Sequence, residues 1–230
     1  MSSHAALKKR HRAERAAQTP ELSLRVHRAL SWLQRAEQLD ADPDGQFIFL
    51  WIAFNAAYAN DFGSDQRLSE HGAFRRFLDR LARLDDGRNR IEDLVWQEFA
   101  HSIRTLLDNP YVFQDFWRWR AGEIDGTEWR RRFDAQRRAA RQALGRRATR
   151  TVLAIVLSRI YVLRNQLVHG GATWNGKVNR EQVRDCTRFM GRFVPLVIEI
   201  MMDHPAASWP APSYPVVDDP DQPAEGPQGA

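Results

Sequence analysis

The chain carries a single cysteine, Cys186, among its 230 residues, which removes any intramolecular disulfide framework and any cysteine-rich zinc module. A chain without disulfides suits a reducing cytoplasm. Lysine is almost as scarce. Of 34 basic residues only Lys8, Lys9 and Lys177 are lysines, so the excess over 29 acids and the net charge of +5 rest on arginine. No apolar run reaches the ~20 residues that a membrane span requires, and no membrane association is expected. The basic N-terminus (Lys8, Lys9, Arg10, Arg12, Arg15) lacks the apolar core of a secretory signal. No stretch alternates polar and apolar residues over strand length, and no internal repeat is found. The seven histidines form neither a His-x3-His pair nor a His-Glu-x-x-His motif, so neither a metal nor another cofactor is expected.

What remains is helical. Thr19-Pro20-Glu21 reads as an N-cap, an N1 proline and an acidic first turn, followed by an apolar stripe at helical spacing from Leu22 to Ala36. Residues 47–59, FIFLWIAFNAAYA, are apolar on every side except at Asn55, which predicts a central helix touching neighbours on more than one face, a second subunit among the candidates. Amphipathic helices are expected over 69–84 and 88–107, a short aromatic segment over 111–119, and a very basic helix over 127–147. The last two helices are the clearest. Leu153, Val156, Ile160, Leu163 and Leu167 form one stripe, closed by Gly170-Gly171 as a left-handed cap. Asn179 and Gln182 read as a capping box opening the final helix, and Pro195 is expected to kink it. The sum is an all-α bundle of about seven or eight helices. Residues 1–18 read as a basic arm or frayed helix and 19–204 as the domain. Residues 205–230, which hold seven of the eleven prolines, read as a disordered or loosely docked acidic tail.

Two features could carry chemistry. Between Arg130 and Arg150 nine arginines face Asp134 alone. Among them Arg130, Arg131, Arg137, Arg138 and Arg141 are candidates for phosphate contact, with Trp117, Trp119 and Trp129 near enough in sequence to stack on unpaired bases. A solvated helix face over core tryptophans is the plain alternative. Cys186 falls on an apolar stripe and reads as a core thiol.

The second feature is the end of the penultimate helix, where Arg164, Asn165 and His169 fall within six residues. A histidine can exchange protons near neutral pH, and an arginine can stabilise charge on a phosphate. At about 100° per residue Asn165 and His169 share a face while Arg164 points away from His169. One helix presents an incomplete site, which a two-fold partner could complete. The same residues could simply cap the helix by bonding its carbonyls, and spacing alone leaves both readings open.

Arg164-Asn165-x-x-x-His169, followed by glycine at the close of the second-last helix of an α-bundle, resembles the signature of the HEPN superfamily. The FIFLWIAFNAAYA helix is similar to its Apea-like branch. The resemblance spans residues 22–202. It implies a HEPN-like helical bundle, a homodimer with paired motifs in a cleft, and metal-independent cleavage of single-stranded RNA. It further implies that His169 acts as general acid or base, that Arg164 holds the scissile phosphate, and that Asn165 orients one of them or the RNA. The 2′-OH would be the nucleophile, giving a 2′,3′-cyclic phosphate and a 5′-hydroxyl. Members commonly act in phage defence or as toxins, some under a regulatory protein partner, and others bind RNA or protein without cutting. Toxins silenced by a nucleotidyltransferase carry tyrosine two residues after the histidine. Gly171 stands there instead, so that form of control is not implied.

Overall fold

The computed structural model describes residues 3–58, 66–177, 179–209, 211, 212 and 214, and the side chains of all of these except 66–73. Among them there is no β-strand. The described residues form ten α-helices: α1 (His4–Glu14), α2 (Pro20–Glu37), α3 (Pro43–Tyr58), α4 (Gln66–Leu84), α5 (Arg90–Asp93), α6 (Ala100–Asp108), α7 (Gln114–Arg120), α8 (Gly126–Gly145), α9 (Thr149–Val168) and α10 (Arg180–Asp203). The all-α reading holds. The helix expected over 88–107 is broken, because a π-turn at Leu94–Glu98 and a bend at Phe99 separate α5 from α6.

Local chemistry sets the ends. Thr19 Oγ1 accepts the Leu22 N–H at 3.3 Å to open α2 behind Pro20, and Asp125 Oδ1 accepts from Thr127 and Glu128 at 2.6 and 2.8 Å to open α8. The expected capping box at α10 is absent. Asn179 sits in the left-handed region (φ 57°) and its side chain caps nothing. Gln182 Oε1 instead accepts from Asn109 Nδ2 at 2.9 Å, tying α10 to the end of α6. α10 continues through Pro195, which is buried.

α2, α3 and α10 form the centre of the core. Phe47, Leu50, Phe54 and Ala57 of α3 are buried, and the Phe54 ring meets Phe193 of α10 at 5.5 Å. Burying each such side chain contributes roughly 1.5–3 kcal/mol. α3 is not buried all round as its composition suggests. Ile48, Ile52 and Asn55 are only half-buried, along one side of the helix. α9 lies beside it, with the Trp51 and Tyr161 rings 5.8 Å apart, and α6 and α8 cover its far side.

The N-terminal end differs from the sequence reading. α1 is neither frayed nor a free arm. Leu7 is 1 % exposed in the core, and Arg10 pairs with Asp203 at 2.8 Å. Periodicity misses this because one buried leucine anchors an otherwise polar helix. The start of the 205–230 segment is docked, one of the two readings its composition leaves open. Trp209 is buried against Phe77 and Arg80, Arg25 Nη2 donates to Ala211 O at 2.8 Å, and Arg28 Nη2 to Tyr214 O at 2.7 Å. Residues 215–230 lie outside the described residues.

Candidate functional site

The end of α9 is closed by its own backbone. The Gly171 N–H donates to Gln166 O at 2.7 Å and the Gly170 N–H to Leu167 O at 3.3 Å, with Gly170 at φ +69°. This is the paired bonding of a Schellman cap. The His169 N–H donates to Asn165 O at 3.0 Å. Because the backbone satisfies these carbonyls, the side chains are not needed for them. The His169 imidazole is exposed and makes no hydrogen bond among the described residues.

Arg164 is half-buried, and its Nη1 donates to Asn165 Oδ1 at 2.9 Å. Successive residues on a helix do not face each other, so the guanidinium must sweep round toward the Asn165 side. The angular argument from sequence aims Arg164 away from His169. The bond to Asn165 ties it to a residue one turn before His169. Arg164 Nε is buried without a partner.

Two contacts hold this turn. Gln166 Nε2 donates to Tyr111 O at 2.5 Å. The loop beyond Gly171 is fastened to the start of α3, where Asp44 Oδ2 accepts from the Asn175 N–H at 3.0 Å and from Arg180 Nη1 at 2.7 Å, and Asp42 Oδ1 accepts from Trp174 Nε1 at 3.1 Å. Neither aspartate stands out in the sequence, because the contacts link residues more than a hundred positions apart.

The arginine cluster is less bare than its sequence suggests. Acids from other elements reach it. Arg132 pairs with Asp115 at 3.2 Å, Arg137 with Asp108 at 2.7 Å, and Arg147 with Glu92 at 3.3 Å. Arg130 lies over the rings of Trp119 and Trp129, 5.9 and 5.5 Å from their centroids. Arg131 and Arg138 are exposed with no acidic partner among the described residues, and Arg141 is held only by a 3.5 Å contact to Asp108. Trp129 is a core residue, stacked on Trp119 at 5.3 Å and packed beside Phe133. It is therefore not free to stack on bases, whereas Trp117 is 37 % exposed.

Cys186 is buried, and burial pushes its thiol up to about 12, so the thiolate is disfavoured. Among the described residues no group of three or more His, Cys, Asp or Glu side chains is arranged to hold a metal ion. α9 is the one described helix long and apolar enough to cross a membrane by length and composition. Compared with models of known protein families, with curated proteins and with solved structures, the chain matches none.

Proposed function

We propose that the protein is a metal-independent endoribonuclease of HEPN type, working as a homodimer in which two α9 ends face one another across a cleft that admits single-stranded RNA. One observation carries the reading. The backbone alone caps α9, leaving the His169 imidazole exposed and free beside an Arg164–Asn165 pair joined at 2.9 Å. A helix-end cap would use these side chains on carbonyls, and here it does not.

The surroundings agree with a second copy. Along the outward side of α9, Ile155, Ser158, Tyr161, Asn165 and Val168 are uncharged and at least partly exposed. α3 adds the half-buried Ile48 and Ile52 on its own open side. An uncharged two-helix face of this kind is better covered than wetted, and a two-fold axis through it would bring a second His169 to the first.

In the reaction, a base removes the proton of the 2′-OH, the 2′-oxygen bonds to phosphorus, and the bond to the 5′-oxygen breaks as that oxygen takes a proton. His169 of each protomer supplies one of these transfers. Arg164 neutralises charge building on the non-bridging oxygens, with Asn165 fixing its guanidinium. The outward Arg131 and Arg138 supply phosphate contacts along the strand. A setting in phage defence or as a toxin suits an enzyme of this class.

The test is cleavage of varied RNAs in EDTA by the wild-type chain, His169→Ala and Arg164→Ala, with analysis of the product ends. Loss in both variants, with cyclic-phosphate ends in the wild type, is the expected result. Cleavage at the wild-type rate in either variant overturns the mechanism.

A further inference from the structure

Between α6 and α8 the surface opens into a groove of about 320 Å³. Arg104 of α6 stands on one side and Arg137 and Arg141 of α8 on the other, with Leu107 and Ala140 in the floor and Asp108 at the rim. Three arginines thus line the groove with one carboxylate, and Arg137 also lies 3.7 Å from Asp134 beside it. Asp108 Oδ1 is shared, accepting from Arg137 Nε at 2.7 Å and from Arg141 Nη2 at 3.5 Å. Arg137 also lies over the Phe133 ring at 5.6 Å, which fixes its stem. Arg104 is exposed and has no acidic partner among the described residues, so its donors are available.

The groove is apart from the α9 end. α8 and α9 are joined by a short corner at residues 146–148 and pack together. Arg137 and Arg141 lie within three turns of that corner, and His169 closes the opposite end of α9. By helical rise the separation along the axis is about 15–20 Å.

We propose that this groove binds the phosphate of a nucleotide, with the apolar floor under its sugar or base. Three observations favour that ligand. Guanidiniums converging from two helices suit the several oxygens of a phosphate, which a rigid fork can bond in pairs. The three arginines outnumber Asp108 and Asp134 together, which leaves the site a net positive charge that an anion cancels. The volume is that of a small-ligand cleft and admits one nucleotide. A free mononucleotide and a nucleotide within an RNA strand present this same chemistry. The site stands whether or not the α9 end cuts RNA.

The experiment measures binding of AMP, and separately of a fluorescent single-stranded RNA lacking terminal phosphates, between 50 and 200 mM salt (probe conditions of about this range expose the ionic term). The wild type, Arg104→Ala/Arg141→Ala, Asp108→Asn and, as a remote control, Arg188→Ala are compared, each with a melting curve. The double variant is expected to bind about tenfold more weakly, with unchanged melting. For the RNA, the log–log salt slope falls by about 0.7 for each phosphate that is no longer neutralised. Asp108→Asn removes the competing carboxylate and is expected to tighten binding, a gain that misfolding cannot produce. Arg188→Ala binds as the wild type does, and AMP, which has no internucleotide bond to cut, reports on this site apart from the cleavage site. If AMP binds in this pattern the ligand is a free nucleotide, and if only RNA does it is a strand. Failure of the wild type to bind either probe overturns the proposal and leaves the groove to an acidic protein surface. Equal binding by the double variant overturns it too, as does weaker binding by Asp108→Asn.

Discussion

Arg164 donates from Nη1 to Oδ1 of Asn165, its neighbour in the chain, at 2.9 Å. The contact ties a half-buried guanidinium to a residue one turn before His169, which ends α9. An arginine held by one partner keeps most of its five donors for a phosphate, and the bond limits the positions that the other donors can reach.

Asn165→Ala therefore leaves Arg164 in place but unaimed. Cleavage is expected to fall about tenfold or more, while the melting temperature stays near that of the wild type because Asn165 is only half-buried. Single-turnover rates on one RNA substrate provide the check. A variant that cuts as fast as the wild type would show that the pair has no part in positioning.

A second prediction concerns α1 and acid. Burial pushes both His4 and His11 below the ordinary imidazole range. At His4, Glu37 opposes that shift and Lys8 adds to it, while His27 and Arg15 add to it at His11. Such groups stabilise the fold above the unfolded value of about 6.5, and that stability is lost as pH falls below it. Burial would raise Asp203, but hydrogen bonds from Arg10 and Arg90 outweigh it and hold this carboxyl below its ordinary value. Its contribution is present above about pH 4 and is lost as pH falls through the folded value. α1 should thus loosen in two steps, first through its histidines and then through Asp203. Hydrogen exchange of the α1 amides at pH 7.5, 5 and 3 would reveal this. Asp203→Asn is expected to cost about 1–3 kcal/mol at neutral pH and to erase the second step. Unchanged α1 protection between pH 7.5 and 5 would refute the histidine step.

Much of this architecture is legible in the sequence where signals are local. The Thr19-Pro20 start, the α2 stripe and the Gly170 stop all depend on residues within one or two turns of each other. So does the clustering of Arg164, Asn165 and His169. The sequence is silent where partners come from afar. It counts the α8 arginines against Asp134 alone, whereas Asp108, Asp115 and Glu92 arrive from other elements. It leaves Trp129 open between base stacking and the core because nothing local announces the cluster with Phe113 and Phe133. Asn179 fails as a cap for a different reason. A suitable residue at the right spacing still needs extended backbone, and the preceding loop imposes φ 57°.

Gly170 allows a sharper test of the α9 end. Its φ is +69°, and a Cβ placed there meets nothing within 4 Å. Only backbone strain opposes substitution. Gly170→Ala is therefore expected to cost about 1–2 kcal/mol, whereas Gly170→Asn, which tolerates the left-handed region, costs less. Thermal melting of the two variants gives the comparison. Equal losses would mean that this cap does not depend on backbone conformation.

Arg159 poses the opposite problem, a charge with no counter-ion among the described residues. It is 2 % exposed in the middle of α9. Its guanidinium lies 4.6 Å from the Phe113 centroid and 5.5 Å from that of Phe133, and Nη1 reaches Val112 O at 3.5 Å. Nε has no partner. Burial pulls its pKa down to about 10, which still leaves it protonated at neutral pH. The fold thus bears the desolvation of a full charge and recovers only ring contacts and one long hydrogen bond. Methionine would keep the length of the stem and remove the charge. Arg159→Met is accordingly expected to match the wild type or exceed it by about 1–3 kcal/mol, while Arg159→Ala, which leaves a cavity between the rings, should lose about 2–4 kcal/mol. Denaturant unfolding of both variants measures the difference. If methionine costs as much as alanine, the two phenylalanine faces hold the cation more strongly than its desolvation opposes it, and Arg159 becomes a tie between α8 and α9 rather than a burden on them.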